Sequence, residues 1–229
     1  MTLLLETATD ICSVALAHEG RIVAERTAGE VHQHARYLTL FIQQVLERAN
    51  ATVADLSEIV LSDGPGSYTS LRVGAATAKG LCLARPTLTF SVVPTLTALA
   101  HAARPPAGEE RILAVLNSRR GEVYGQLFAA TDQRSPLTEV SNVRLTDPRW
   151  RGTLLDGVGR GRVFVCGPGT ERLRQALPPE DNAFTFGTPL TCAAAQLLFP
   201  PRRYPELASY EPFYLNPPFV TQSRKKPLL

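Results

Sequence analysis

Residues 71–83 read Leu-Arg-Val-Gly-Ala-Ala-Thr-Ala-Lys-Gly-Leu-Cys-Leu. On a helical wheel the apolar and small residues Leu71, Val73, Gly74, Ala75, Ala76, Ala78, Gly80, Leu81, Cys82 and Leu83 surround nearly the whole circumference, and only Arg72, Thr77 and Lys79 interrupt. A helix apolar all round is buried all round. The chain's own sheet can cover one side; the other side asks for a partner. Gly74, Ala78 and Leu81 share a side on which small residues let another helix approach closely. Gly64-Pro-Gly-Ser67 stands directly before, where Ser67 or Thr69 can cap the helix.

Strand and helix signals surround this segment. Leu3–Thr7, Cys12–His18 and Arg21–Arg26 read as strands, the last two joined at a Glu19-Gly20 hairpin turn. Ala35–Ala49 reads as a helix with its apolar face on Leu38, Ile42, Val45 and Leu46. A strand over Glu58–Ser62, a strand over Leu88–Val92 and a helix over Thr95–Ala103 follow. The uncharged run from Pro86 to Ala103 holds two prolines, four threonines and a histidine, which favours that strand and helix over a membrane span. Residues 104–109 read as a linker between residues 1–104 and 105–229. In the second half, Ile112–Leu116 and Val123–Phe128 form a hairpin around Ser118-Arg-Arg-Gly121, Val163–Cys166 is a buried strand, and Glu171–Ala176 and Cys192–Leu198 are helices. From Pro200 onward the chain is Pro-rich and ends in Arg224-Lys-Lys-Pro, a tail expected to lie extended on the surface or to fray. Hairpin strands followed by alternating strands and helices predict an α/β fold of two similar halves.

Charge divides with the halves. Residues 1–104 carry 8 basic and 9 acidic side chains, a net −1; residues 105–229 carry 16 and 12, a net +4. The whole-chain net of +3 is not that of a dedicated nucleic-acid binder. Cys12, Cys82, Cys166 and Cys192 are far apart in mostly apolar surroundings, which excludes a Cys-x-x-Cys site and suits a reducing cytoplasm. Leu3-Leu-Leu5 is too short, and lacks the basic start, for a signal peptide.

Two loops could carry chemistry. Gly64, Gly66 and Ser67 before a helix can cradle a phosphate or carboxylate with backbone N–H groups, or simply make a tight turn that caps the helix. Glu6, Thr7 and Thr9 close the first strand with an acid and hydroxyls, a pattern also found where actin-like phosphotransferases meet phosphates. No P-loop or nucleophile elbow is present. His32 and His34 read as a loop entering a helix rather than a metal pair. Gly157-Val-Gly-Arg-Gly161 precedes a strand, where a dinucleotide fingerprint must follow one. Without a metal or nucleophile constellation, the isolated chain is expected to be catalytically silent.

Leu3-Leu-Leu-Glu-Thr-Ala-Thr9, Cys12-Ser-Val-Ala-Leu16 and Gly64-Pro-Gly-Ser-Tyr-Thr-Ser-Leu-Arg-Val-Gly74 resemble the bacterial TsaB (YeaZ) family, densely over residues 2–103. Ile112–Tyr124 and Glu211-Pro-Phe-Tyr-Leu215 extend the likeness. Glu6 for the more frequent Asp, Ser70 for Gly, Asn117-Ser118 for Asp-Ala and Pro168 between glycines depart from the family pattern. The resemblance implies an actin-like/hexokinase-like (ASKHA) two-lobed fold with a reduced C-terminal lobe. It implies a non-catalytic scaffold with no cofactor of its own, partnered by a TsaD-type catalytic subunit that holds the metal. A TsaE-type ATPase, tRNA reached through the complex, nucleotide at a partner junction, and a homodimer of the chain alone complete the expectation. The role implied is formation of N6-threonylcarbamoyladenosine at tRNA position 37, and the partner surface implied comprises Tyr37, Leu40, Phe41 and Gln44 with Leu71, Gly74, Ala75, Ala78 and Leu81. An active phosphotransferase using Glu6 and the Gly64–Ser67 loop is the alternative, and a peptidase would need a zinc or nucleophile site that the sequence does not display.

Overall fold

The computed structural model describes residues 1–28, 33–131, 134–155, 161–187 and 190–216. Two five-stranded sheets carry the fold. The first consists of β1 (Thr2–Glu6), β2 (Ser13–His18), β3 (Arg21–Thr27), β4 (Glu58–Ser62) and β5 (Thr89–Val93) in the order β3-β2-β1-β4-β5. The second consists of β6 (Arg111–Asn117), β7 (Glu122–Ala129), β8 (Ser141–Arg144), β9 (Val163–Cys166) and β10 (Phe184–Phe186) in the order β8-β7-β6-β9-β10. Numbered within its own half, each sheet has the same arrangement. Three antiparallel strands lead, and two parallel strands are added on the far side of the first. The crossovers are helical: α1 (His34–Arg48) and α2 (Tyr68–Ala84) in the first half, α4 (Trp150–Leu155) and α5 (Thr170–Gln175) in the second. The two similar halves read from the sequence are one topology used twice.

Burial follows the period-two pleat on both faces. In β1, Leu3 and Leu5 face α1 and α2, whereas Leu4 faces inward with Ala15 and Val60. In β6, Ile112, Ala114 and Leu116 face inward and Leu113 and Val115 face α4 and α5. Helix α1 buries Leu38, Phe41, Ile42, Val45 and Leu46 and stops where Asn50 takes the left-handed conformation at φ 49°.

The layer between the sheets is shared across the division expected at residue 104. Helix α3 (Thr95–Ala102) ends the first half, yet Leu96, Leu99 and Ala100 pack with Ile112, Leu116 and Phe128 of the second sheet. In return the short 3₁₀ turn Ala194–Leu197 lays Ala194 and Leu197 on Leu4, Ala17 and Val60 of the first. Each half therefore lends its last helical element to the other's inner face. That turn is also shorter than the helix expected over Cys192–Leu198.

Of the two courses expected for the tail, its described part takes the extended one. Residues 202–214 are extended but anchored. Arg203 exchanges backbone hydrogen bonds with Val92 at 2.8 and 2.9 Å, and its guanidinium pairs with the buried Asp63 carboxylate. Arg202 pairs with Glu58. The buried Tyr210 hydroxyl donates to Asp63 Oδ1 at 3.0 Å, and Phe213 N–H donates to the Asp63 carbonyl at 2.8 Å. Prolines cannot donate, so the ordering comes from these intervening residues. The basic Arg224–Lys226 segment, His32 and residues 157–160 of the glycine-rich stretch lie outside the described residues.

If this strap is part of the folded core, Tyr210→Phe leaves the buried Asp63 one donor short. Urea unfolding should show a loss of about 1.5 kcal/mol; an unchanged midpoint and slope would mean the strap contributes nothing to stability.

Candidate functional site

The loops singled out in the sequence meet at a cleft between the sheets. Its walls are Ala8–Ile11 after β1, Gly66-Ser67 before α2, Leu116–Ser118 after β6, Pro168 after β9, and Thr191-Cys192, and its volume is about 290 Å³. That lies at the lower edge of the roughly 300–1,000 Å³ typical of small-molecule sites.

The first-half loops are bonded to each other rather than open to an anion. Ser67 N–H, one of the donors at the head of α2, is given to the Ala8 carbonyl at 2.7 Å. The Ser67 side chain is spent as the cap, accepting from Ser70 N–H at 3.4 Å and bonded to the Ser70 hydroxyl at 2.9 Å. A Cβ at position 66 would lie 2.1 Å from the Ala8 carbonyl oxygen, so only glycine permits this approach. Of the two uses open to Gly64–Ser67, the geometry supports the turn and cap.

Glu6 is turned beneath this loop and is 1% exposed. Its Oε1 accepts the Ala8 N–H at 2.7 Å. Burial is the largest influence on its carboxyl and pushes the pKa up to about 7, against smaller opposing effects of the Ala8 N–H and Ser62. Thr7 N–H donates to Ser62 Oγ at 3.0 Å, and the buried Thr7 hydroxyl abuts α2, where a Cβ at Gly74 would stand 2.2 Å from Oγ1. Thr9 lines the cleft beside Cys192. Burial holds the Cys12 and Cys166 thiols up at about 12 and Cys192 well above its ordinary value, so none offers a thiolate near neutral pH. Among the described residues no group of three or more His, Cys, Asp or Glu is placed to hold a metal ion.

The second candidate surface is the outer side of α1 and α2, and here the expected residues divide. On α1, Leu40 is 41% exposed; Tyr37 is half-buried and stacks on Phe41 with ring centroids 5.2 Å apart. Half-buried Gln44 accepts from Arg26 Nε at 3.2 Å. Leu81 is half-buried at the edge of the core. Phe41, Leu71, Gly74, Ala75 and Ala78 are buried within the chain itself. The sheet covers α2 from one side, and the strap runs along another. Tyr214 packs on Tyr68 with centroids 4.6 Å apart, and Lys79 Nζ donates to the Ala208 carbonyl at 3.3 Å. Besides Ala84 at its end, α2 leaves exposed Thr69, Arg72, Ala76, Gly80 and Leu83, spaced three and four residues apart, with Leu83 74% exposed. The wheel contained this stripe but could not say which side the tail would take.

Comparison with known proteins places this geometry in context. The family model described as "TsaD: tRNA N6-adenosine threonylcarbamoyltransferase" matches residues 21–136. A protein from Haemophilus influenzae named tRNA threonylcarbamoyladenosine biosynthesis protein TsaB is 30% identical over 194 residues, covering 82% of this chain and 72% of that protein. The Escherichia coli protein of the same name is 34% identical over 122 residues; the match spans 53% of this chain and about half, 52%, of that relative. Among solved structures, YeaZ from Pseudomonas aeruginosa superposes with a TM-score of 0.70 at 25% identity, over 86% of this chain and 88% of its own.

The Glu6 environment makes stability depend on pH in a defined direction. Below its ordinary value of 4.5 the carboxyl is protonated folded or unfolded; between 4.5 and about 7 only the unfolded chain releases the proton. Stability therefore falls as pH rises through that window and is lowest above it. Glu6→Gln keeps an acceptor for Ala8 N–H without the charge. Its stability relative to the parent should improve by about 2 to 3 kcal/mol between pH 5 and pH 8. Denaturant curves at the two values check this, and a difference that does not change with pH would refute the buried neutral carboxyl.

Proposed function

The chain belongs to the TsaB (YeaZ) family, and from that premise we propose that it serves tRNA threonylcarbamoyladenosine biosynthesis as a non-catalytic subunit. It binds and activates a TsaD-type catalytic subunit, alongside a TsaE-type ATPase, and the complex forms the modified adenosine at tRNA position 37. The observation that carries this reading is the bond from Ser67 N–H to the Ala8 carbonyl. A phosphotransferase built on Glu6 and Gly64–Ser67 would need that donor for phosphate and an ionised, accessible carboxylate. Here the donor is committed within the fold, and Glu6 is buried and largely neutral below about pH 7. These residues do not fit a nucleotide triphosphate held by this chain alone. Metal and any nucleotide belong to the partner or to a junction with it.

The partner surface in this proposal is Tyr37, Leu40 and Gln44 on α1 with Ala76, Gly80 and Leu83 on α2. Two outer helices presenting single exposed leucines beside small residues suit a contact with two helices of another chain, the partner subunit or, in its absence, a second copy. Among the described residues no helix is long and apolar enough to cross a membrane, and the reading places the complex in the cytoplasm.

Leu40→Glu and Leu83→Glu alter exposed side chains and should leave the circular dichroism spectrum unchanged. Each puts an unpaired charge into a desolvated contact and should weaken calorimetric binding to the TsaD-type subunit at least tenfold, about 1.4 kcal/mol. Two folded variants that bind like the parent would place the interface elsewhere. By itself, given threonylcarbamoyl-AMP and tRNA, the chain should modify no adenosine; modification without a partner would sink the scaffold reading.

A further inference from the structure

Arginines gather around the β6–β7 turn. Segments 117–122, 141–144 and 170–175 come together around it. They hold five arginines (Arg119, Arg120, Arg144, Arg172 and Arg174) and two glutamates (Glu122 and Glu171), so their net of +3 equals that of the entire chain. The turn is held rigidly. Ser118 N–H donates to the Glu122 carbonyl at 3.1 Å, and Gly121 takes the left-handed conformation at φ 75°. Arg172 Nη1 donates to the carbonyls of Arg119 and Glu122 at 3.0 and 2.7 Å, bonds that fix its guanidinium without cancelling its charge. Both oxygens of the turn's own carboxylate are engaged on the β8 side, Glu122 Oε2 by Asn142 at 3.0 Å and Oε1 by Arg144 at 3.0 Å. Arg119 and Arg120 are exposed at the tip, immediately after Asn117 and Ser118 of the cleft wall, and the buried Ser118 Oγ has no hydrogen-bond partner in the fold.

We infer that this turn is a backbone-binding contact for RNA, with Arg119 and Arg120 meeting phosphodiester oxygens and Arg172 positioning them. Guanidinium groups match phosphate geometry, and the hydrogen bonds of the turn fix the backbone that carries these two. The five arginines gathered around the turn favour approach of a polyanion from this side. Phosphate contacts of this kind orient a nucleic acid without reading its sequence. The inference rests on the reading that the chain works on tRNA and names a surface by which it touches that substrate directly.

The test compares Arg119→Ala/Arg120→Ala with Arg21→Ala/Arg48→Ala, which removes the same two charges from exposed positions of the first half. Binding of each full-length protein, without partners, to tRNA is measured between 50 and 200 mM salt. The turn variant should lower the slope of log affinity against log salt by roughly 1.4 to 1.8, so the parent's affinity should fall about tenfold more than the variant's over that range. The control should keep the parent slope. Equal effects from both variants would reduce the result to net charge and overturn the inference, as would a turn variant with the parent's slope or a parent chain with no salt-dependent affinity. In parallel, the same proteins are added to the TsaD- and TsaE-type subunits and adenosine 37 modification is measured. A parent that binds tRNA through the turn but fails to support modification overturns the proposed function and leaves the turn contact standing.

Discussion

Helix α2 can lie against the end of β1 because positions 66 and 74 carry no side chain. A Cβ at either would come within about 2 Å of the Ala8 carbonyl or the Thr7 hydroxyl. From this one close approach several features follow. The Ser67 N–H reaches Ala8, the Thr7–Asp10 loop is pinned, and Glu6 is sealed beneath it in surroundings that favour its neutral form. The approach also presses the small residues of α2 inward, leaving Ala76, Gly80 and Leu83 to the outside. Closure of an anion cradle and presentation of a helical surface are thus two results of the same packing.

The second constraint is the exchange between the halves. A five-stranded sheet with helices on one face leaves its other face bare, and each half covers that face with an element lent by its neighbour. Ala194 N–H also donates to Ser13 Oγ at 3.0 Å, so the returning chain is bonded into β2 as well as packed on it. The strap beyond it closes on Asp63, the residue before the glycine turn, through Arg203, Tyr210 and the Phe213 N–H. The glycine turn is therefore held from β1 on one side and from the C-terminal segment on the other.

Legibility in the sequence tracked how local each determinant is. Strands Glu58–Ser62 and Val163–Cys166 are continuous apolar runs between turn residues, and their bounds could be read directly. Strands β8 and β10 and helix α4 are three to six residues long and depend on pairing and packing partners distant in sequence, so no local pattern marks them. The apolar circumference of α2 correctly signalled burial on more than one side. It could not assign the sides, because the strap that covers one of them begins more than a hundred residues later. Ala75 and Ala76 are adjacent and identical, yet one is core and the other surface; only the register of Tyr210 and Tyr214 against Lys79 and Tyr68 separates them. The glycine turn was ambiguous for the same reason, since whether Ser67 N–H is free depends on where the Ala8 carbonyl comes to rest.

The two candidate surfaces differ in charge. The first half, net −1, exposes leucine and small side chains on two helices, where dense like charge would oppose a desolvated contact. The second half gathers arginines on a turn clamped by backbone carbonyls, where desolvation is slight and charge can act over a distance. Placing both on one sheet would set the arginine field against the apolar face. The duplicated topology gives each surface its own sheet, and the exchanged elements between the sheets hold the two in one spatial relation.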